Sequence, residues 1–359
     1  MNKIFETMEI FNAKKLPLSE GRQIYFFSAS AEGLEDAKAH FDALNSISKM
    51  RLVGPELYAA CELPLFQKKS SGEFLFLGTE VGGGYRGLQC CLVSEDISKE
   101  IVFEGRRVGL CFEDDFARYA LLGGIFPEDI RACKEAQTLS VFESIEAALG
   151  GVGMDFSNVV RTWFYNDNIL DWYETFNGAR DSFFESRKVF SGLVPASTGI
   201  GSRNARGAAL AARAFAVKPK SELVKICEVE SPLQCSARDY KSSFSRAVEL
   251  VHPNFRHLIV SGTAGIEYGG KSAFVGDLNR QINLSLDVLE AILKSRGMDW
   301  GDTLRAVAYI KDFSCVGEFR KIQKLRGLED LPCVSIQADV CRGDLLFEME
   351  LDAGIALKV

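Results

Sequence analysis

The chain is poor in histidine, with three in 359 residues, and its ten cysteines form no Cys-x-x-Cys pair. Structural zinc and iron–sulfur sites rely on such spacings, so no metal site is expected and the cysteines read as reduced, buried thiols. No apolar run approaches the roughly 20 residues that cross a bilayer, and the opening stretch Met1 to Phe11 lacks the basic-then-apolar layout of a signal peptide. A cytoplasmic protein without a membrane segment is the expectation. Runs of lysine and arginine are absent as well, and a net charge of −7 with a pI near 5.3 gives no basic footprint for nucleic acid. Gly-x-Ser-x-Gly does not occur, which leaves a Ser-His-Asp hydrolase unsupported. The cluster Gly82-Gly83-Gly84 is not followed by Gly-Lys-Ser/Thr, so it reads as a turn and not a phosphate loop.

What is present is an ordinary globular composition, 47% apolar and 25% charged, in a length that suits two or three domains. The most informative feature is a near-copy: Gly153-Met154-Asp155-Phe156-Ser157-Asn158-Val159-Val160-Arg161 returns as Gly297-Met298-Asp299-Trp300-Gly301-Asp302-Thr303-Leu304-Arg305. Each copy follows a stretch with helical spacing of apolar residues, Leu139 to Leu149 or Leu284 to Arg296, and enters a strand-like run, Val159 to Tyr165 or Leu304 to Ile310. An apolar strand precedes each helix, Tyr119 to Gly124 or His257 to Gly262. A second helix follows, Leu170 to Glu185 or Val316 to Leu325, and a strand marked by Pro195 or Pro332 closes each unit. The economical packing is α+β: two tandem units, each a mixed sheet with its helices on one face. This reading divides the chain into an N-terminal region at 1–112, a first unit at 113–218, a linker at 219–234 and a second unit at 235–359. The N-terminal region shows strand-like runs at Ile24 to Phe27, Phe74 to Leu77 and Leu88 to Val93, with a helix near Leu34 to Leu44.

The repeat resembles the YjgF/RidA superfamily of small trimeric imine deaminases, formerly called L-PSP endoribonucleases, whose units share a chorismate mutase-like fold. Ser261-Gly262, the Arg305 strand and Glu348-Met349-Glu350 carry the likeness in the second unit. Within that superfamily the tandem arrangement is similar to the chorismatases, which hydrolyse chorismate to pyruvate and a hydroxylated benzoate or cyclohexadiene acid. Four stretches carry this narrower likeness: Arg161-Thr162-Trp163; Pro195 to Gly201; Ser231 to Gln234 with Tyr240 and Phe244 to Ala247; and Asp339-Val340-Cys341-Arg342. The carboxylate-holding arginine that superfamily deaminases carry after the proline of the last strand is missing from both Pro195-Ala196-Ser197 and Pro332-Cys333-Val334. Where chorismatases commonly have a histidine-containing stretch, this chain has Glu267 to Phe274. The resemblance implies a cofactor-independent enzyme acting on a small carboxylate, assembled as a homotrimer because superfamily sheets cover one another's open faces. A divergent enamine or imine deaminase and a non-catalytic ligand-binding protein are the alternatives.

Hydrolysis of an enol ether needs an acid that protonates the vinyl carbon and a water that attacks the resulting oxocarbenium centre. Glu348, between Phe347 and Met349 on a strand that otherwise reads as core, is the candidate acid; the resemblance points to the same position, seven residues after Cys341. The opposing reading is that Glu348 and Glu350 share the solvent face of an alternating strand. For a substrate with two carboxylates, Arg161 and Arg320 are the candidate partners. Arg180, on a helix, reads as a surface residue. Tyr240, Ser197 and Thr263 are candidate donors, and Cys341, with no histidine near it, reads as a thiol that shapes the pocket.

Overall fold

The computed structural model describes residues 11–31, 36, 39, 40, 42, 43, 50–59, 75–78, 85–204, 206–240 and 242–357. Their strands form three six-stranded sheets. The first contains β1 (Asn12–Pro17), β2 (Gln23–Ser30), β3 (Met50–Ala59), β4 (Leu75–Gly78) and β5 (Tyr85–Ser94). The second contains β6 (Ser98–Phe103), β7 (Arg106–Glu113), β8 (Ala117–Ile125), β9 (Val159–Asn166) and β10 (Ala196–Gly201), with helices α1 (Lys134–Gly150) and α2 (Tyr173–Ser186). A two-residue strand, β11 (Arg203–Asn204), then leaves to pair with β4, and β12 (Leu210–Pro219) returns to the second sheet. The third holds β13 (Lys225–Val229), β14 (Ala247–His252), β15 (Phe255–Ala264), β16 (Thr303–Ile310), β17 (Cys333–Gln337) and β18 (Phe347–Ala356), with helices α3 (Leu278–Ser295) and α4 (Val316–Leu325).

The second sheet runs β10-β9-β12-β8-β7-β6 and the third runs β17-β16-β18-β15-β14-β13, the same order element for element. In both, the outermost pair is parallel, β10 with β9 and β17 with β16, as a helical crossover requires. The nine-residue near-copies build the same local structure. Gly153 and Gly297 take φ of +72° and +68°, the left-handed conformation that ends α1 and α3, and Met154 and Met298 donate back to Leu149 and Leu293. Asp155 and Asp299 then accept from the backbone two residues on, each within a reciprocal capping box that opens a short turn into β9 or β16. The first sheet follows the same order, β4-β3-β5-β2-β1, with β11 added at the β4 edge. The fold is therefore α+β as expected, with a third sheet of like topology before the two that the sequence repeat reveals.

The expected boundary between 112 and 113 cuts through β7, and β6 and β7 pair onward to β8 in the second sheet. The span 219–234 holds β13, which pairs with β14. The helix expected near Leu34 to Leu44 falls largely outside the described residues, and the Gly82–Gly84 cluster falls wholly outside them.

Alternation along the strands explains how the sheets are covered. On β9, Val159 and Phe164 pack toward α1 and α2, while Val160, Trp163 and Tyr165 face a core shared with the other sheets. Leu16, Phe26 and Val93 of the first sheet, Phe112 and Phe215 of the second, and Val248, Leu250 and Phe255 of the third meet in that shared core. Each such side chain taken out of water contributes about 1.5–3 kcal/mol. The homotrimer expectation rested on an open sheet face that needed partner chains. Among the described residues, side chains from all three sheets meet across those faces in one core.

Candidate active site

A cavity of about 420 Å³ opens where the second and third sheets meet. Its walls come from α2 (Tyr173, Asn177, Arg180), β10 (Ser197, Gly199), the segment before β14 (Tyr240, Phe244, Arg246), the end of β15 (Gly262, Ala264), the Cys341-Arg342 turn, and Glu348 on β18. Hydrogen bonds across the seam fix the two sheets. Ser197 N donates to Ser261 Oγ at 2.8 Å, Ser245 N donates to Pro195 O at 3.1 Å, and Gly262 N donates to Thr198 Oγ1 at 3.0 Å.

Glu348 lies on a strand whose odd-numbered residues Phe347, Met349, Leu351 and Ala353 pack toward α3 and α4. The even-numbered acids Glu348, Glu350 and Asp352 therefore point the other way. That way is not solvent but the layer between the sheets, where Glu348 is 5% exposed and Glu350 fully buried. A Cβ added to Gly262 would overlap Glu348 Oε1, so glycine is what leaves room for the carboxyl group. Burial, reinforced by the charge of Glu350 and opposed by Arg161 and Arg246, lifts the Glu348 pKa to about 8. Glu348 is thus a carboxylic acid near neutral pH. Gly262→Ala should force it aside, and because a misplacement near 1 Å can cost about 100-fold in rate, turnover should fall on that order with the fold intact. Steady-state kinetics beside a thermal melt will check this.

Arg161 is fully buried but does not line the cavity. Its Nη2 donates to Glu350 Oε2 at 2.8 Å and to Thr198 Oγ1 at 2.6 Å. Glu350 also accepts from Arg305 Nη2 at 2.7 Å and Trp163 Nε1 at 2.8 Å; burial pushes its carboxyl pKa up, but Arg305 and Arg161 outweigh it and hold the group below the usual range. The role expected for Arg161, pairing a ligand carboxylate, is taken by an internal one. Arg320 is exposed on α4 and is absent from the cavity wall. Thr263 is buried with Oγ1 donating to Ser261 O at 2.9 Å, and it too is outside the wall.

Tyr240, Ser197 and Cys341 do line the cavity together with Glu348. Burial pushes the Cys341 thiol up to about 12, which removes it as a nucleophile and leaves it a wall residue. The cations of the cavity are Arg180, Arg246 and Arg342. Arg246 Nε donates to Cys235 O, Arg342 Nη1 donates to Gly270 O at 2.8 Å, and both guanidinium groups lie 5.3 Å from the Tyr240 ring centre. Arg180, 2% exposed, donates to Asn177 Oδ1 at 2.6 Å. Arg180 Nε and Arg246 Nη2 are buried without a hydrogen-bond partner, an arrangement that is costly unless an acceptor enters the cavity. None of the three was named as a site residue from sequence. Arg246 and Arg342 sit inside the stretches that carry the chorismatase likeness. Arg180 had a plainer signal: Phe176, Phe183 and Phe184 share its helix face, so that face turns inward.

A buried acid beside several arginines, in a cleft between sheets of repeated α+β topology, defines a site for a small anionic ligand. No family model matches the chain. It is 27% identical over 275 residues to a 3-hydroxybenzoate synthase of Streptomyces hygroscopicus, which spans 68% of this chain and 76% of that protein. A chorismatase of Streptomyces rapamycinicus is 26% identical over 240 residues, 60% of this chain and 69% of that one. A crystal structure of a chorismatase superposes with a TM-score of 0.69 at 16% identity, covering 95% of this chain and 99% of the other. The protein is chorismatase-like in sequence and has the chorismatase fold across its three sheets.

Proposed function

We propose that the chain hydrolyses the enolpyruvyl ether of chorismate, or of a closely related cyclic carboxylic acid, to pyruvate and a dihydroxycyclohexadiene acid or hydroxybenzoate. The observation that carries this reading is Glu348: an uncharged carboxyl in a cavity whose arginines hold unpaired donors. Arg180, Arg246 and Arg342 pair the substrate carboxylates, and Glu348 gives its proton to the terminal methylene carbon of the enol ether. The adjacent carbon becomes an oxocarbenium centre, to which water adds its oxygen while returning a proton to the Glu348 carboxylate. Cleavage of the hemiketal carbon–oxygen bond then leaves the ether oxygen on the ring as a hydroxyl and frees pyruvate. Loss of one further water from the ring gives a hydroxybenzoate.

Because the acid form of Glu348 is the working form and its pKa lies at about 8, activity should hold through neutral pH and fall as pH rises past about 8. A pyruvate-release profile from about pH 6 to about pH 10 tests it. A rate that instead rises through pH 8 contradicts an acid at this position.

A further inference from the structure

Glu348 and Glu350 project from the same face of β18 into the same buried layer, and their neighbours make them opposites. Glu350 takes Arg161 on one oxygen and Arg305 with Trp163 on the other. Thr198 Oγ1, which accepts from both Arg161 Nη2 and Gly262 N, turns its own proton to Glu350. Among the described residues no hydrogen bond ties Glu348. Arg161, which pairs with Glu350 and whose charge also acts on Glu348, is fully buried with Nε and Nη1 lacking a partner. Such a cation draws the proton from any acid beside it unless its charge is engaged elsewhere.

Resting on the reading of Glu348 as general acid, we propose that Glu350 is a positioning residue of the reaction: it clamps Arg161, assisted by Thr198, and so leaves Glu348 uncharged with a proton to give. Around Glu348 stand Arg161 from β9, Arg246 from the segment before β14, Tyr309 paired with it on β16, Tyr173 from α2, Cys341 from the turn before β18, and Glu350 on its own strand. Burial holds the Tyr173, Tyr309 and Cys341 groups in their neutral forms, so Arg161, Arg246 and Glu350 set the balance. Arg161 is paired with the Glu350 carboxylate, whereas Arg246 donates to the neutral Cys235 O and keeps its charge unmatched there.

The test reads Glu348 directly. The infrared carbonyl band of its acid form is assigned by subtracting the spectrum of Glu348→Gln, then followed against pH in the whole chain. Glu350→Gln keeps the shape of the clamp and removes its charge, so Glu348 should lose its proton at a pH lower by about 1 to 3 units, and the falling limb of pyruvate release should move the same way. Arg161→Gln removes the cation instead, while Glu350 keeps Arg305 and Trp163, so the band should persist to higher pH than in the parent. Opposite shifts support the proposal. An unmoved band in folded Arg161→Gln overturns it, as do shifts of one sign in both variants. If Glu350→Gln fails to fold, the Arg161→Gln titration decides alone. The band needs no turnover, so a protein that titrates as described but releases no pyruvate overturns the reaction and not the role of Glu350 as clamp.

Discussion

Glu348→Gln is expected to lower turnover roughly 100- to 10,000-fold, the usual loss for a general acid, with chorismate affinity almost unchanged. Glutamine keeps the length and the hydrogen-bonding capacity of the side chain, and it fits the space that Gly262 leaves open. What it lacks is a proton that can be transferred. The parent carboxyl is uncharged near neutral pH because burial and Glu350 outweigh Arg161 and Arg246, so the variant changes no charge in the resting cavity. Rate and affinity should therefore part company, and single-turnover rates beside calorimetric titration of the ligand will measure both. A Glu348→Gln variant with near-parental turnover removes Glu348 from its role.

Arg180→Met is expected to act on the other quantity. Arg180 is buried on α2, with Nη2 on Asn177 and Nε unpaired, and desolvation already depresses its pKa. A substrate carboxylate would supply what that cation lacks. Removing the cation strands the carboxylate in a water-poor cavity, which costs about 2 to 5 kcal/mol, or roughly 30- to 5,000-fold in Kd. Methionine keeps an apolar stem of similar length while removing the guanidinium that lies over the Phe176 ring. Arg320→Ala, on the exposed face of α4, should leave Kd within about twofold, below the scale of a buried pair. Equal losses in the two variants would place the carboxylate site elsewhere.

The duplicated unit was legible because its junction uses residues with few substitutes. A helix that ends in a left-handed glycine and restarts at a capping aspartate constrains Gly153, Asp155, Gly297 and Asp299 at once. No stretch of sequence before β3 copies Gly153-Met154-Asp155, so among the described residues the kinship of the first sheet shows in strand order. Glu348 was legible as an acid set in an apolar strand. Its direction was not, because Phe347-Glu348-Met349-Glu350-Leu351-Asp352 has the alternation of a half-exposed strand. The polar face is buried by the neighbouring sheets of the same chain, a contact over long sequence separation that periodicity does not record. Arg161 was read as a ligand partner for the same reason: Glu350, the carboxylate it pairs with, lies 189 residues away in the sequence.

Whether this cavity cleaves an enolpyruvyl ether is tested most directly by incubating the purified chain with chorismate at neutral pH and reading pyruvate through lactate dehydrogenase. One pyruvate should form for each chorismate consumed, together with a ring product that retains its carboxylate. Chorismate left intact by a folded chain, with no pyruvate formed, would contradict it.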